Sequence, residues 1–215
     1  HPYAEICGTV LSPQVVLSEC NTTYFGVRFL PGYNPVLGSA DIMAHLVNHR
    51  IPLDDLIQDR RMLEGIWGAS DFRQQIRVFM RSYMNIYRRV CPQEHQNLLV
   101  LHSSNLMIRS GGGISVEQLA EDTGYTPRYI DKCFRNETGL SPKQLAKIVR
   151  FQTAVSALNQ NQHTGRSLTE IAADLGYFDQ SHFVHDFKTY TGLTPKKYQM
   201  LLRNDAFDEK LRIVQ

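Results

Sequence analysis

The stretch that decides the fold is Leu168–Tyr198, LTEIAADLGYFDQSHFVHDFKTYTGLTPKKY, because Val116–Leu145, VEQLAEDTGYTPRYIDKCFRNETGLSPKQL, repeats its pattern. Ten residues are identical and in the same order in the two copies. They are Ala120, Asp122, Gly124, Tyr125, Phe134, Thr138, Gly139, Leu140, Pro142 and Lys143 in the first copy and Ala172, Asp174, Gly176, Tyr177, Phe187, Thr191, Gly192, Leu193, Pro195 and Lys196 in the second. The second copy has one extra residue between its Gly and its Phe. Such a repeat predicts two copies of one structural unit.

Each copy has the signals of two helices joined by a tight turn. Ser115 with Gln118 in the first copy, and Ser167 with Glu170 in the second, have the spacing of a capping box, which begins a helix. Apolar residues follow at spacings of three and four, as expected for one buried helical face. A glycine then ends the helix by adopting a positive φ angle. Two helices joined in this way form a helix-turn-helix unit, whose second helix enters the major groove of DNA.

The second helices are predicted over Thr126–Asn136 and Gln180–Thr189. Thr126 is followed by a proline, a residue that suits the first helical position, and Asp179 is the expected cap of the other helix. Between the two units, one long helix is predicted from Pro142 to about Leu158. Its length of roughly 25 Å suits a rigid spacer that holds two recognition helices in successive major grooves, about 34 Å apart.

The repeat also resembles a known family. The segments GYTPRYIDKCFRNETGLSP and IAADLGYFDQSHFVHDFKTYTGLTPKKY are similar to the AraC/XylS family of bacterial transcription regulators, and the resemblance spans about Ile114–Tyr198. It implies a cytoplasmic regulator that binds double-stranded DNA at specific sequences. It also implies that a small-molecule effector is often sensed by an N-terminal domain.

Residues that read DNA must lie on the exposed face of each second helix. In the first of these helices, Tyr129 or Ile130, with Cys133 and Phe134, forms the inward stripe, and in the second Phe183 and Phe187 point inward. The family resemblance puts six outward residues at base-contacting positions. They are Arg128, Asp131 and Lys132 in the first helix and Gln180, Ser181 and His185 in the second.

Two residues of the second helix depart from the family pattern. His185 stands where Arg is common, and Asp186 stands where an apolar residue is usual. Both changes weaken the electrostatic attraction of this helix for DNA.

Phosphate contacts are expected from cations on and around the two units. The candidates are Arg135, Lys143, Lys147, Arg150, Lys188, Lys196 and Lys197. The whole chain has a net charge of +2, and residues 114–199 have ten basic and nine acidic residues, a net charge of +1. This balance is low for a DNA-binding module, so acidic residues must be kept away from the DNA, and we expect a modest salt dependence of binding.

The expected fold class is mainly α, with the double helix-turn-helix domain at residues 111–215 and a small, β-rich sensing segment at 1–58. In this segment Thr22–Leu30 is predicted to be a strand, followed by a turn at Pro31-Gly32. The motifs FGVRFLPGYNPVLG and IPLDDLI are similar to the end of the small β-barrel that senses effectors in some members of the family. Most of such a barrel is missing, so either the sequence is a fragment, which its first residue His1 also suggests, or the domain is reduced.

Residues 59–110 are predicted to be helical and to connect the two regions. Within Asp71–Val90, apolar residues recur at alternating spacings of four and three, as in a short coiled coil. Two interpretations compete: this face forms a homodimer with a second chain, or it packs within its own chain, for example on Gln93–Arg109. About three heptads are short for a coiled coil, which favours packing within the chain. Ser110–Gly113, SGGG, is predicted to be a flexible joint.

Two other functions are considered. One is a DNA alkyl-repair enzyme with a reactive cysteine, but no recognisable metal or basic environment surrounds Cys7, Cys20 or Cys91. The other is a protein-interaction module in which the helix-turn-helix units are only structural.

Metal, cofactor and membrane sites are not expected. The scattered cysteines are typical of reduced thiols in a cytoplasmic protein. His45 and His49 are four residues apart in a predicted helix, but no third zinc ligand is nearby, so a surface pair is the simpler interpretation. No apolar run approaches the roughly 18 residues of a membrane helix.

Overall fold

The computed structural model describes residues 3–13, 23–31, 40–56, 60–90 and 98–203. These residues are mainly helical, with one two-stranded sheet, as the sequence predicts. The elements are β1 (Glu5–Cys7), α1 (Ala40–Leu46), β2 (Arg50–Pro52), α2 (Leu53–Leu56), α3 (Arg60–Trp67), α4 (Phe72–Val90), α5 (Leu98–Arg109), α6 (Val116–Thr123), α7 (Pro127–Thr138), α8 (Pro142–Thr164), α9 (Leu168–Asp174), α10 (Gln180–Thr191) and α11 (Pro195–Arg203). No helix in these ranges combines the length and the apolar composition that crossing a bilayer requires.

The elements group by their contacts into two units. The first unit takes the described residues of 1–10, 15–104 and 128–141, so it contains the sheet, α1 to α4 and nearly all of α7. The second takes those of 11–14, 105–127 and 142–215, which include α6 and α8 to α11. Helix α5 contributes to both units. The predicted division at residues 1–58, 59–110 and 111–215 follows sequence signals rather than contacts, and it stays a prediction.

The sheet of the first unit is antiparallel and short. Ile6 of β1 lies opposite Ile51 of β2. Beside them, Arg50 Nη1 and Glu5 Oε1 form an ion pair at 2.6 Å across the two strands. Hydrogen bonds of the backbone and one cross-strand charge pair thus hold together two segments that are far apart in the sequence.

The predicted strand at Thr22–Leu30 is wrong for its described part, because residues 23–30 form no strand. Two aromatic residues of this segment pack on α4 instead. The Phe25 ring lies 6.2 Å from the Phe79 ring, and the Phe29 ring lies 5.2 Å from the Tyr83 ring. Phe25 and Phe29 are therefore partly buried against a helix, whereas Tyr24, Val27 and Leu30 remain exposed. Pro31 lies in a turn, while the predicted turn's second residue lies outside the described residues.

Helix α4 matches the predicted Asp71–Val90 helix within one residue. Its apolar face is buried at the C-terminal end, where Ile86 joins Met62 and Ile66 of α3 in a hydrophobic cluster. At the N-terminal end, Phe72 and Ile76 are 64% and 41% exposed. Packing within the chain, the favoured interpretation, thus accounts for one half of this face, with α3 as the partner.

Helix α7 has a continuous buried face within the first unit, formed by Ile130, Cys133 and Phe134. Gly139 ends the helix with a φ angle of 71°. A Cβ atom at this glycine would lie 2.4 Å from the carbonyl oxygen of Met43 in α1. The backbone after α7 therefore approaches α1 more closely than any side chain at this position allows.

The second unit has a core to which four helices contribute. Ala154, Val155 and Leu158 of α8 pack with apolar residues of α9, α10 and α11. The contributions of these helices and of the intervening turn are Ile171, Ala172, Tyr177, Phe183, Phe187 and Tyr198. Burial of this apolar area is the main stabilising term of the unit.

Helix α8 is six residues longer than predicted, because it ends at Thr164 rather than near Leu158. In its last turn, the Asn161 side chain binds the backbone of the residues that follow the helix: Nδ2 donates to the Arg166 carbonyl at 2.8 Å, and Oδ1 accepts from the Arg166 N–H at 2.7 Å. Residues 159–164 therefore continue the helix beyond its predicted end.

The predicted flexible joint at Ser110–Gly113 is wrong, because the structure forms an ordered helix end there. The Gly112 N–H donates to the Met107 carbonyl at 2.8 Å and the Gly111 N–H donates to the Ile108 carbonyl at 3.1 Å, which is the Schellman arrangement. Arg150 of α8 then donates to the Gly112 carbonyl at 2.9 Å. Gly111 and Gly112 adopt positive φ angles, and Gly112 packs closely on α8. These glycines therefore allow a compact helix end rather than a flexible joint.

Candidate nucleic-acid interface

Helix α7 separates a buried apolar face from an exposed polar face. Ile130 and Phe134 are fully buried, whereas Arg128 and Lys132 are exposed. The alternative inward residue, Tyr129, is 46% exposed, so Ile130 is the core residue. The two cations lie four residues apart on the exposed face, as the sequence predicts for this helix.

Asp131 and Arg135 are partners in an ion pair on the same helix. Arg135 Nε lies 2.7 Å from Asp131 Oδ2, in the i, i+4 arrangement that favours helices. Both side chains remain about half exposed. The pair therefore gives the acidic group of this face a basic partner on the same helix.

Helix α10 begins with the cap that the sequence predicts. Asp179 accepts a hydrogen bond from the His182 N–H at 2.7 Å. Phe183 and Phe187 are buried below this helix, in the core of the second unit. The predicted base-contacting residues of this helix are all exposed: they are Gln180, Ser181 and His185.

Thr169 positions Gln180 and was not found by sequence reasoning. Its hydroxyl, on α9, donates to Gln180 Oε1 at 2.9 Å. This contact joins the first and second helices of the second copy across the turn, and it orients the amide of the exposed Gln180 side chain. No periodicity in the sequence signals a contact between two exposed polar residues eleven positions apart.

Asp186 of α10 is buried, although its side chain is acidic. Its carboxylate lies 3.7 Å from His182 Nε2 and 3.9 Å from His185 Nδ1. Burial, and secondly the Asp186 carboxylate, raise the pKa of Tyr177 to about 12, while the Arg150 guanidinium opposes this shift. The departure from the family pattern at Asp186 is therefore placed inside the unit, where it has polar neighbours.

Five of the predicted phosphate-contacting cations are exposed in the second unit: they are Lys143, Lys147, Lys188, Lys196 and Lys197. Arg150 differs from them because its guanidinium is directed into the unit. One of its nitrogens donates to the Gly112 carbonyl, and the group lies 5.5 Å from the centre of the Tyr177 ring. These contacts give Arg150 a structural role in the second unit.

Both capping boxes are formed as predicted. The Gln118 N–H donates to Ser115 Oγ at 3.2 Å, and the Ser115 N–H donates to Gln118 Oε1 at 2.8 Å. In the second copy, the Glu170 N–H donates to Ser167 Oγ at 3.2 Å, and the Ser167 N–H donates to Glu170 Oε2 at 2.7 Å. In each copy the first helix therefore starts at the residue that follows the serine.

The two copies end their first helix differently. In the first, the Gly124 N–H donates to the Ala120 carbonyl at 2.9 Å, which is a single αL-type bond. In the second, Gly176 and Tyr177 donate to the Ala173 and Ala172 carbonyls, each at 3.0 Å, which is a Schellman end. This second arrangement turns the Tyr177 side chain inward, where it is 7% exposed.

The residues considered for metal binding or enzyme chemistry lie apart from these helices in the sequence. Helix α1 ends at Leu46, so His49 lies beyond it and the predicted helical His pair is not formed. Among the described residues, no group of three metal-ligating side chains is found. Partial desolvation, together with the Glu5 carboxylate, raises the pKa of the Cys7 thiol, which disfavours the nucleophilic thiolate. Cys20 and Cys91 lie outside the described residues.

The capped helix pairs and their exposed polar faces define a DNA-binding protein of the helix-turn-helix class. A family model described as "Helix-turn-helix domain" matches residues 93–200, half of the chain. The chain belongs to the AraC/XylS family of transcription regulators.

Several relatives are similar to part of this chain. The transcriptional activator AarP of Providencia stuartii is 27% identical over 103 residues, which are 48% of this chain and 71% of AarP. The multiple antibiotic resistance protein MarA of Escherichia coli is 25% identical over 40% of this chain and 66% of MarA. An uncharacterised HTH-type regulator of Haemophilus influenzae is 34% identical, but only 27% of its length is covered.

A solved structure is also similar. It is the C-terminal domain of AraT, a response regulator from Geobacillus stearothermophilus, with a TM-score of 0.45 and 21% identity. The match covers 57% of this chain and 94% of that domain.

Proposed function

We propose that this protein regulates transcription by reading two successive major grooves of DNA, with α7 in one and α10 in the other. One observation supports this proposal most directly: each helix buries its aromatic residue, Phe134 or Phe187, and exposes the polar residues of its opposite face. Exposed polar side chains on a helix that is fixed from behind by a core are suited to base recognition.

The base contacts are assigned by the hydrogen-bonding groups that each side chain offers. Arg128 and Lys132 donate to guanine O6 and N7, and Gln180 matches adenine through its amide. Asp131 accepts from the cytosine amino group, in addition to pairing with Arg135. Ser181 and His185 are the other base-contacting residues of α10 and offer a hydroxyl and an imidazole. The His185 side chain is shorter than the Arg that is common at this position in the family.

The phosphate contacts come from Arg135 and the exposed lysines named above, six cations in all. If each neutralises one phosphate, the logarithm of the binding constant falls with the logarithm of the salt concentration with a slope of about −5. A slope that corresponds to ten or more phosphates would contradict this assignment.

In vitro selection from random DNA, followed by mobility-shift titration at a stated salt concentration, tests the proposal. We expect Lys132→Ala to weaken binding by about 1–3 kcal/mol and to relax the preference at one base pair. Lys143→Ala should instead weaken binding to all sequences equally and reduce the salt slope by about one. Arg81→Ala, on the exposed face of α4, is the matched control and should leave binding unchanged.

Failure of the wild-type protein to enrich any sequence would overturn the proposal and favour the protein-interaction module. Stoichiometric uptake of a methyl group from alkylated DNA would favour the repair enzyme, for which the raised pKa of Cys7 is unfavourable. We infer that the protein works as a cytoplasmic regulator, without catalysis.

The N-terminal region is proposed to be regulatory, through effector sensing or dimerisation at residues 71–90. The exposed apolar end of α4, at Phe72 and Ile76, supports the homodimer. Sedimentation equilibrium of the wild-type protein and of Ile76→Glu tests it. If both the wild-type protein and Ile76→Glu are monomers, the protein does not dimerise through this face, and effector sensing is left as the proposed role.

A further inference from the structure

Phe178 is the most exposed of the large apolar side chains in the described residues, at 94%. It lies in the turn between α9 and α10. Tyr177 before it is directed into the core by the Schellman end of α9, and Asp179 after it caps α10. Because both neighbours are fixed by these contacts, the position of Phe178 on the outside of the turn is determined by the fold.

The two copies of the repeat differ in the length of this turn. The segment from Gly124 to Phe134 is one residue shorter than the segment from Gly176 to Phe187. In the structure, the difference falls in the turn: two residues separate Gly124 from the start of α7, whereas three separate Gly176 from the start of α10. The longer turn provides the place for Phe178 beside the recognition helix.

The neighbouring residues indicate which ligand this ring contacts. Phe178 lies two and three residues before Gln180 and Ser181, at the helix end whose residues contact base edges in helix-turn-helix proteins. None of the base-contacting residues of α10 has a permanent positive charge, and Asp179 and Asp186 are acidic. Recognition by this helix therefore depends on neutral contacts, and the neutral apolar group that the major groove offers is the thymine methyl group.

We propose that Phe178 is a further specificity-determining residue, which contacts the 5-methyl group of a thymine in the major groove next to the site of α10. This inference rests on the proposed function, because it requires α10 to lie in that groove. The contact would add selectivity for thymine without adding charge.

The test uses the selected DNA site and replaces each thymine in turn with deoxyuridine, which removes only the methyl group. For the wild-type protein, we expect one or two of these replacements to weaken binding about fourfold, the effect of burying one methyl group. Phe178→Ala should bind the unmodified site about fourfold more weakly and be insensitive to the same replacements. Met200→Ala, which alters an exposed apolar residue of α11, is the matched control and should keep the wild-type sensitivity.

The outcomes separate this inference from the proposed function. If Phe178→Ala keeps the full affinity and the full sensitivity to deoxyuridine, the inference is overturned while DNA reading by α10 stands. If Phe178→Ala binds DNA normally but fails to regulate transcription, the ring contacts another protein, which also overturns it. If the wild-type protein selects no DNA, both proposals fail. Because the ring is exposed, the melting temperature of Phe178→Ala should equal that of the wild type and confirm that the variant is folded.

Discussion

Replacing Gly112 with alanine tests the close approach between the end of α5 and α8. Gly112 has a φ angle of +79°, and a Cβ atom there would lie 2.3 Å from the Ala146 carbonyl oxygen and 2.7 Å from the Arg150 backbone nitrogen. Gly111, in the same turn, has a φ angle of +59°, but its Cβ atom would lie 3.5 Å from Thr153, an ordinary contact distance. The two glycines share the unusual backbone angle and differ in the space around them.

The size of the effect follows from these differences. Alanine in the left-handed region costs about 1–2 kcal/mol, and about 0.4–1 kcal/mol is regained because alanine restricts the unfolded chain. At Gly112 the added methyl group must displace the α8 backbone, which costs about 1–3 kcal/mol. Loss of the Arg150 hydrogen bond to the Gly112 carbonyl adds about 1.5–3 kcal/mol. We therefore expect losses in the free energy of unfolding of about 0–1.6 kcal/mol for Gly111→Ala and about 2.5–7.6 kcal/mol for Gly112→Ala.

Urea unfolding followed by far-ultraviolet circular dichroism measures both variants. Fluorescence of the single tryptophan, Trp67, would report on the first unit, whereas Gly112 belongs to the second. Gly111→Ala is the matched control, because it has the same backbone cost without the steric overlap. If both variants lose the same free energy of unfolding, or neither loses any, the close packing on α8 is refuted and a flexible joint is the better description.

Three further predictions concern a helix cap, a buried tyrosine and the α4 face. Asp179→Ala should destabilise the protein by about 1 kcal/mol, since it removes the cap of α10, and Asp179→Ser should recover most of this loss; unchanged urea midpoints would contradict it. Burial, and secondly the Asp186 carboxylate, raise the folded-state pKa of Tyr177 to about 12, above the unfolded value near 10. The protonated Tyr177 therefore contributes its full stabilisation below about pH 10, and this stabilisation is lost as the pH rises through about 12. Ultraviolet titration of tyrosinate checks this, with Tyr177→Phe as the control; ionisation of every tyrosine near pH 10 would be the contrary result. Ile86→Ala should lower the free energy of unfolding by about 2–5 kcal/mol, and Ile76→Ala should lower that of the monomer by less than about 0.5 kcal/mol. Equal losses for the two variants would show that the buried part of α4 is misassigned.

The helix ends of the repeat were predictable because they depend on local interactions. A serine and the residue three positions later satisfy the free N–H groups of a helix start, and both predicted capping boxes are formed. The prolines that begin α8 and α11, and the Asp179 cap, follow the same local rules. These interactions involve residues within one helical turn of each other, so the sequence pattern contains the information.

Segments whose conformation depends on distant partners were predicted less well. The aromatic residues near Phe25 are compatible with a strand or with an irregular segment that packs on a helix. In the structure the segment packs on α4, because Phe25 contacts Phe79 of that helix. In the same way, a glycine-rich run is compatible with a flexible joint until Arg150 and the α8 backbone pack against it.

The sequence alone determined the repeat, the starts of the helices within it and the membership in the family, because periodicity and capping are local properties of the chain. Only the tertiary structure decided that Arg150 is turned inward, that Thr169 orients Gln180 and that Phe178 is left outside the turn. The physical reason is that burial depends on which distant groups fill the space around a residue, and no short-range pattern specifies those groups.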